Sequence, residues 1–213
     1  MEIQKLWHIS PDKTAIRKTD SYVLNKNELL IKSDYSMISC GTEKIVASGE
    51  VPFDVYENMK VPHMEGSFDF PVAYGYSLTG KVIEGPPELR SRKVHLLYPH
   101  HNYAIATIND VFPIPEEVPS IYSTLASNLE TVVNAIWDSR ITLGDRILIV
   151  GFGSVGALLA LTLKIFMPGI HTTIIENSIP RISAGRKLGL KIKSKPDEKD
   201  KEFDISFDTS GTE

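Results

Sequence analysis

Two short stretches of this 213-residue sequence bring together residue types that do chemistry. The first is Cys40-Gly41-Thr42-Glu43 in "ISCGTEKI": a soft metal ligand, a hydroxyl and a carboxylate within four positions. Cys40 is the only cysteine, so an internal disulfide and an all-cysteine zinc knuckle are excluded. It is either a metal ligand or a small apolar filler. The second stretch, Gly151-Phe152-Gly153-Ser154-Val155-Gly156, fits G-x-G-x-x-G. Histidines add candidates: His63 near Glu65 in "PHMEG", and His100-His101 in "YPHHNY". Imidazole titrates near neutrality, so one of the pair can serve as an acid. Neighbours on an extended chain face opposite ways, so at most one of them joins Cys40 as a ligand.

The glycine pattern is weak alone and gains meaning from its context. It follows the apolar run 146–150 and opens an apolar helix, and Glu176 closes the next strand 20 residues after Gly156. Gly151 permits the tight turn, Gly153 lets a pyrophosphate approach the backbone, and Gly156 lets helix and strand pack closely. The helix start, at Ser154 and Val155, offers free N–H groups and positive potential to phosphates. Glu176 can accept both ribose hydroxyls and would repel a 2′-phosphate, which favours NAD over NADP. Arg181 is near enough in sequence to blur that preference. One alternative is a packing turn beside a surface glutamate. Another is S-adenosylmethionine, but Val150 stands where such methyltransferases usually carry an acid.

These residues need elements to hold them. Up to about residue 100 the texture is β: 28–39, 76–84 and 93–99 are strand-like, broken by Gly and Pro. Many short strands with such turns predict a barrel or sandwich-like domain. From 119 to 139 apolar residues recur at three- and four-residue steps without internal Gly or Pro, which predicts one helix capped by Ser120 or Ser123. Strands at 146–150, 171–176, about 190–194 and 203–211 alternate with helices, the second starting near Pro180 and ending at Gly189. That alternation predicts a parallel sheet wrapped by helices. The expected fold class is α/β, divided into residues 1–122 and 123–213.

Composition narrows the classes. Net charge is −4 and no basic stripe appears, so nucleic acid is not an expected partner. The run 191–202 alternates in sign and reads as a solvated connection. The start lacks a signal-peptide pattern, and the longest apolar run, 155–163, is too short to span a bilayer. A cytoplasmic protein without a membrane partner is expected.

Taken together, these stretches resemble the medium-chain dehydrogenase/reductase superfamily, the alcohol dehydrogenase type. "ISCGTE" is similar to its Cys-Gly-Ser/Thr-Asp element. "PVAYGYSLTGKVIE" resembles P-x-x-x-G-H-E-x-x-G-x-V, and "LGDRILIVGFGSVG" resembles G-D-x-V-L-V-x-G-x-G-x-x-G. "FDTSG" resembles the fourth Rossmann strand, whose turn, at Ser210, contacts the cofactor in that family. The cover runs from about residue 25 to 213. "GTEKIVASGEVP", "YGYS" and "SNLETVVNAIWD" look closest to a branch that includes bacteriochlorophyllide dehydrogenase. The resemblance implies a GroES-like β-rich domain before a Rossmann domain, with NAD as cofactor and a small alcohol or carbonyl substrate.

Departures from the family pattern qualify it. Cys40 stands at the family's first zinc-ligand position, but Tyr76 and Ser77 replace its His-Glu pair. Glu130, in the region of the third ligand, falls mid-helix. The four-cysteine structural-zinc lobe is absent. Zinc is therefore not expected. Thr42 matches the hydroxyl that relays a proton, and without zinc Thr42 or Tyr76 can hydrogen-bond a carbonyl oxygen, with Cys40 lining the site. The last residues reach only the fourth strand of a six-stranded pattern. The expectation is a piece of a longer oxidoreductase, with a homodimer expected of the complete chain. As a whole protein these 213 residues should bind cofactor weakly and turn over little. The competing expectation is a non-catalytic nucleotide-binding protein that keeps the fold.

Overall fold

The computed structural model describes residues 2–19, 22–197 and 202–211, so part of the charged run 191–202 lies outside the described residues. The chain divides into two compact units, residues 1–127 and 128–213.

The first unit is mostly antiparallel β. Strands β1 (Ile3–Ser10) and β2 (Lys13–Thr19) form a hairpin turned by Pro11-Asp12, with Asp12 at φ 55. Strand β3 (Glu28–Ser36) leads to helix α1 (Thr42–Ser48) and the single turn α2 (Tyr56–Met59). Then come β4 (Glu65–Gly66), β5 (Val72–Ala73), β6 (Leu78–Glu84), β7 (Lys93–Leu96), β8 (Tyr103–Thr107) and β9 (Val111–Pro113). One sheet has the order β8-β3-β6-β7-β9 and the other β2-β1-β5-β4. Strand alternation sends Leu29 and Ile31 of β3, Leu78 and Val82 of β6, and Val94 and Leu96 of β7 into one fully buried cluster. Each such side chain contributes about 1.5–3 kcal/mol of burial. A second cluster, Val46, Val51, Phe68, Val72 and Tyr74, seats α1 against β5 and its neighbours.

The helix expected over 119–139 is two: α3 (Ser120–Ser123) and α4 (Ala126–Ser139). The break has a local cause. Ser77 donates its hydroxyl to the Thr124 carbonyl, drawing that acceptor out of a helical ladder. Thr124 Oγ1 donates to the Ile121 carbonyl at 2.7 Å. Neither serine caps the long helix: Ser120 begins α3, and Ser123 Oγ donates to the Ser120 carbonyl at 2.9 Å.

The second unit alternates strand and helix: β10 (Arg146–Val150), α5 (Ser154–Phe166), β11 (His171–Ile175), α6 (Ile179–Lys187), β12 (Ile192–Lys193) and β13 (Ile205–Asp208). All pairings are parallel, in the order β12-β11-β10-β13. Pro180 lies in the first turn of α6, and Gly189, at φ 67, follows its end. The core lies on one face of β10: Ile147 and Ile149 are fully buried, packed with Leu159, Ala160 and Leu163 of α5 and Ile174 of β11. The molecule is thus α/β, with antiparallel sheets in one unit and a parallel sheet in the other. Among the described residues no helix is long and apolar enough to cross a membrane.

Candidate functional site

In the second unit, the glycine turn joins β10 to α5 at the carboxyl end of the parallel strands. Gly151 has φ 92, and a Cβ there would lie 2.8 Å from the Ser210 amide nitrogen. Its own N–H donates to the Ile175 carbonyl at 2.8 Å. A Cβ on Gly156 would lie 2.3 Å from the Gly151 carbonyl oxygen. Both glycines are therefore required by contacts inside the protein. Gly153 differs: its φ of −77 and ψ of −164 suit any residue, and a Cβ there would meet nothing within 4 Å. The space over Gly153 is open, beside a thirteen-residue helix whose first turn has no side-chain cap. The amides of Ser154, Val155 and Gly156 have no partner within the helix at that end.

Glu176 follows β11 and is only 8% exposed. One carboxylate oxygen accepts the Phe152 N–H at 2.8 Å, the other the Ser178 N–H at 2.7 Å. Burial pushes its pKa up, but the Ser178 and Phe152 amides and the Arg181 charge outweigh that and hold it below the ordinary carboxylate value. Arg181, more than half exposed, lies 3.5 Å from the same carboxylate. Ser210 closes the opposite side through Asp208, which accepts its N–H at 2.9 Å and its hydroxyl at 2.7 Å. The turn, Glu176, Arg181 and Ser210 thus converge on the strand ends of one sheet. An acceptor carboxylate, an open glycine and the free N–H donors of an uncapped helix start are a combination that fits a dinucleotide.

In the first unit, Cys40 is exposed with a free thiol, and Thr42, half-buried, is the first residue of α1. Tyr76 is half-buried, its ring edge-on to Tyr74 at 6.2 Å. Tyr74 donates to the Met59 carbonyl at 2.8 Å, and burial raises its pKa. Ser77 is committed to Thr124 and accepts the Ser127 hydroxyl at 3.2 Å. Among the described residues no three His, Cys, Asp or Glu side chains gather as a metal-holding set. The residues present therefore do not match the zinc ligand set of the resembled family.

What gathers instead is a buried couple that the sequence did not expose. Glu43, 2% exposed, meets His100, 7% exposed, with Oε2 to Nε2 at 2.6 Å. Glu43 Oε1 accepts the Ser39 N–H at 2.8 Å. The other ring nitrogen of His100 meets the hydroxyl of exposed Ser36 at 2.9 Å. Gly75, at φ 139, makes room, since a Cβ there would lie 2.9 Å from His100 Nε2. His8 is also buried, and among the described residues neither of its ring nitrogens has a hydrogen-bond partner. Burial lowers its pKa, Glu43 opposes that, and His100 adds to it. The pair His100-His101 separates in role: His101 is buried against Tyr98, and burial lowers its pKa to about 4. His63 lies 3.5 Å from Asp110 and stacks on Tyr98. The three members of the Ser36-His100-Glu43 set are 64 and 57 residues apart in sequence, so no spacing motif announces them.

The fold is that of two-part dehydrogenases, an antiparallel unit followed by a parallel one. A short chain alcohol dehydrogenase from E. coli CFT073, solved with NADH, matches at TM-score 0.70 and 14% identity over 98% of this chain and 63% of its own. Acetophenone reductase from Geotrichum candidum, solved with NAD, matches at TM-score 0.77 and 16% identity, covering 97% of this chain and 68% of its own. The quinone oxidoreductase from Coxiella burnetii matches at TM-score 0.70 and 19% identity, covering 90% and 62%. The chain thus spans less than two thirds of the length of the first and third of these structures. No protein-family model and no curated protein sequence matches the chain.

Proposed function

We propose that the chain binds NAD(H) at the glycine turn and serves an oxidoreductase that exchanges hydride with a small alcohol or carbonyl compound, without zinc. The observation that carries the reading is Gly153. No contact among the described residues demands glycine there, while a phosphate approaching the backbone does. The amides of Ser154 and Val155 face that phosphate at the positive end of α5. Glu176 has about four lone-pair sites, and its two backbone bonds leave acceptors for the ribose hydroxyls. Its charge disfavours a 2′-phosphate, with Arg181 softening that preference. Ser210, pinned by Asp208, forms the opposite wall.

When bound, the nicotinamide supplies the hydride chemistry. The protein's part is orientation and the proton at the substrate oxygen, which falls to the hydroxyl of Thr42 or Tyr76 with Cys40 lining the site. NADH titration monitored by quenching of Trp7 and Trp137 fluorescence tests the binding step. Metal analysis of the same sample tests the zinc-free part, and a stoichiometric zinc would overturn it. Turnover of NADH with aldehydes, ketones or quinones separates an enzyme from a nucleotide-binding protein that has lost catalysis.

A further inference from the structure

We propose that Ser36 is an activated nucleophile that accepts acyl groups from carboxylic esters with good leaving groups, a chemistry separate from hydride transfer. The geometry meets the requirement for nucleophilic catalysis: a hydroxyl within reach of a base that a third group orients. Ser36 is exposed, and its Oγ lies 2.9 Å from His100 Nδ1. His100 Nε2 lies 2.6 Å from Glu43 Oε2. A carboxylate only accepts, so in the neutral imidazole Nε2 carries the proton and Nδ1 is left to accept from Ser36. Glu43 is held in turn by the Ser39 N–H at 2.8 Å, so the orienting group is itself fixed.

The surroundings are shaped to this set. A bulge in β3 between Ser33 and Tyr35 precedes Ser36, a device that re-aims side chains. Gly75 leaves the room that His100 occupies. His8 is within electrostatic reach of the couple but among the described residues bonds to neither member, and its burial favours the neutral ring, so it does not compete for Glu43.

In the reaction, Ser36 Oγ forms a bond to the ester carbonyl carbon and its proton passes to His100 Nδ1. The ester C–O bond breaks, the phenolate or alkoxide leaves, and His100 returns the proton to it. Water then cleaves the acyl-serine by the same path, giving a carboxylic acid. The neighbouring Met37 N–H is committed to the Ser77 carbonyl at 2.9 Å, so it gives the developing oxyanion no support. That limits the substrates to activated esters.

The test is labelling of the full chain, carrying Cys40→Ala so that the thiol does not react, with a biotin fluorophosphonate and with 4-nitrophenyl acetate. Peptide mass mapping should place the adduct on Ser36, and Ser36→Ala should abolish it. His100→Gln should slow labelling about 100-fold, the scale of a lost general base. Glu43→Gln tests positioning: at unchanged melting temperature, labelling should slow and its pH profile should change. Gly75→Ala, which crowds the imidazole, should slow labelling too. An unmodified Ser36, or wild-type labelling in His100→Gln, overturns the proposal. No nucleotide takes part, so the result is independent of NADH binding.

Discussion

The three glycines of the turn should respond to substitution in opposite ways, because only two of them answer to the protein. At Gly156 an added methyl would lie 2.3 Å from the Gly151 carbonyl oxygen and 2.5 Å from Thr209 Oγ1. Overpacking of that kind costs about 1–3 kcal/mol. Gly151→Ala adds a left-handed backbone penalty of roughly 1–2 kcal/mol to a 2.8 Å clash with the Ser210 amide. At Gly153 the backbone is extended and the space open, so in Gly153→Ala the gain of about 0.4–1 kcal/mol through the unfolded chain is offset by the poorer N-cap, and stability should change by less than about 1 kcal/mol. For a unit of this size 1 kcal/mol moves Tm by about 4–8 °C, so differential scanning calorimetry resolves the contrast. NADH titration should run the other way. Gly153→Val should weaken binding at least about tenfold, or 1.4 kcal/mol, while the fold is retained. Wild-type NADH affinity in Gly153→Val would refute the ligand reading. A Tm loss in Gly153→Ala matching that of Gly156→Ala would refute the packing analysis.

Glu176→Ala should cost about 1–3 kcal/mol in urea unfolding, because the Phe152 and Ser178 amides lose their acceptor. The same variant should raise the ratio of NADPH to NADH affinity in competition titrations, and an unchanged ratio would count against its role at the ribose. Ser77→Ala should cost a similar amount, about 1–3 kcal/mol, by stranding the Thr124 carbonyl. His95 is buried with no hydrogen-bond partner among the described residues, and burial lowers its pKa from 6.5 to about 4. The unfolded chain then binds the proton that the folded one refuses, so stability is full above pH ~6.5 and falls between pH ~6.5 and ~4, by up to about 3 kcal/mol. His95→Leu should flatten that slope in urea midpoints measured across the window.

The second unit was the more legible in sequence, for a local reason. Its strands are short apolar runs, and Gly151, Gly153 and Gly156 mark where strand becomes helix. Strand 146–150 falls where its apolar run does. The first unit was less legible. The hairpin 3–19 carries charges along both faces, and part of its cover is Arg17 stacked 4.5 Å from the Trp7 ring, a pairing across strands with no local pattern. The break after Ser123 depends on Ser77, 47 residues from Thr124, so helical periodicity ran straight through it.

By itself the sequence determined the α/β class, the turn at 151–156 and the acid at Glu176, because backbone conformation and hydrophobic period are properties of neighbours in the chain. It also placed Cys40, Thr42 and Glu43 together without saying which of them would be engaged. Tertiary structure decided that. Folding buries Glu43 and leaves Cys40 exposed. It brings His100, from the loop between β7 and β8, to the buried carboxylate, and Ser36, at the end of β3, to the other side of that imidazole. A carboxylate out of water needs a partner, and only the packed sheets fix which residue supplies it.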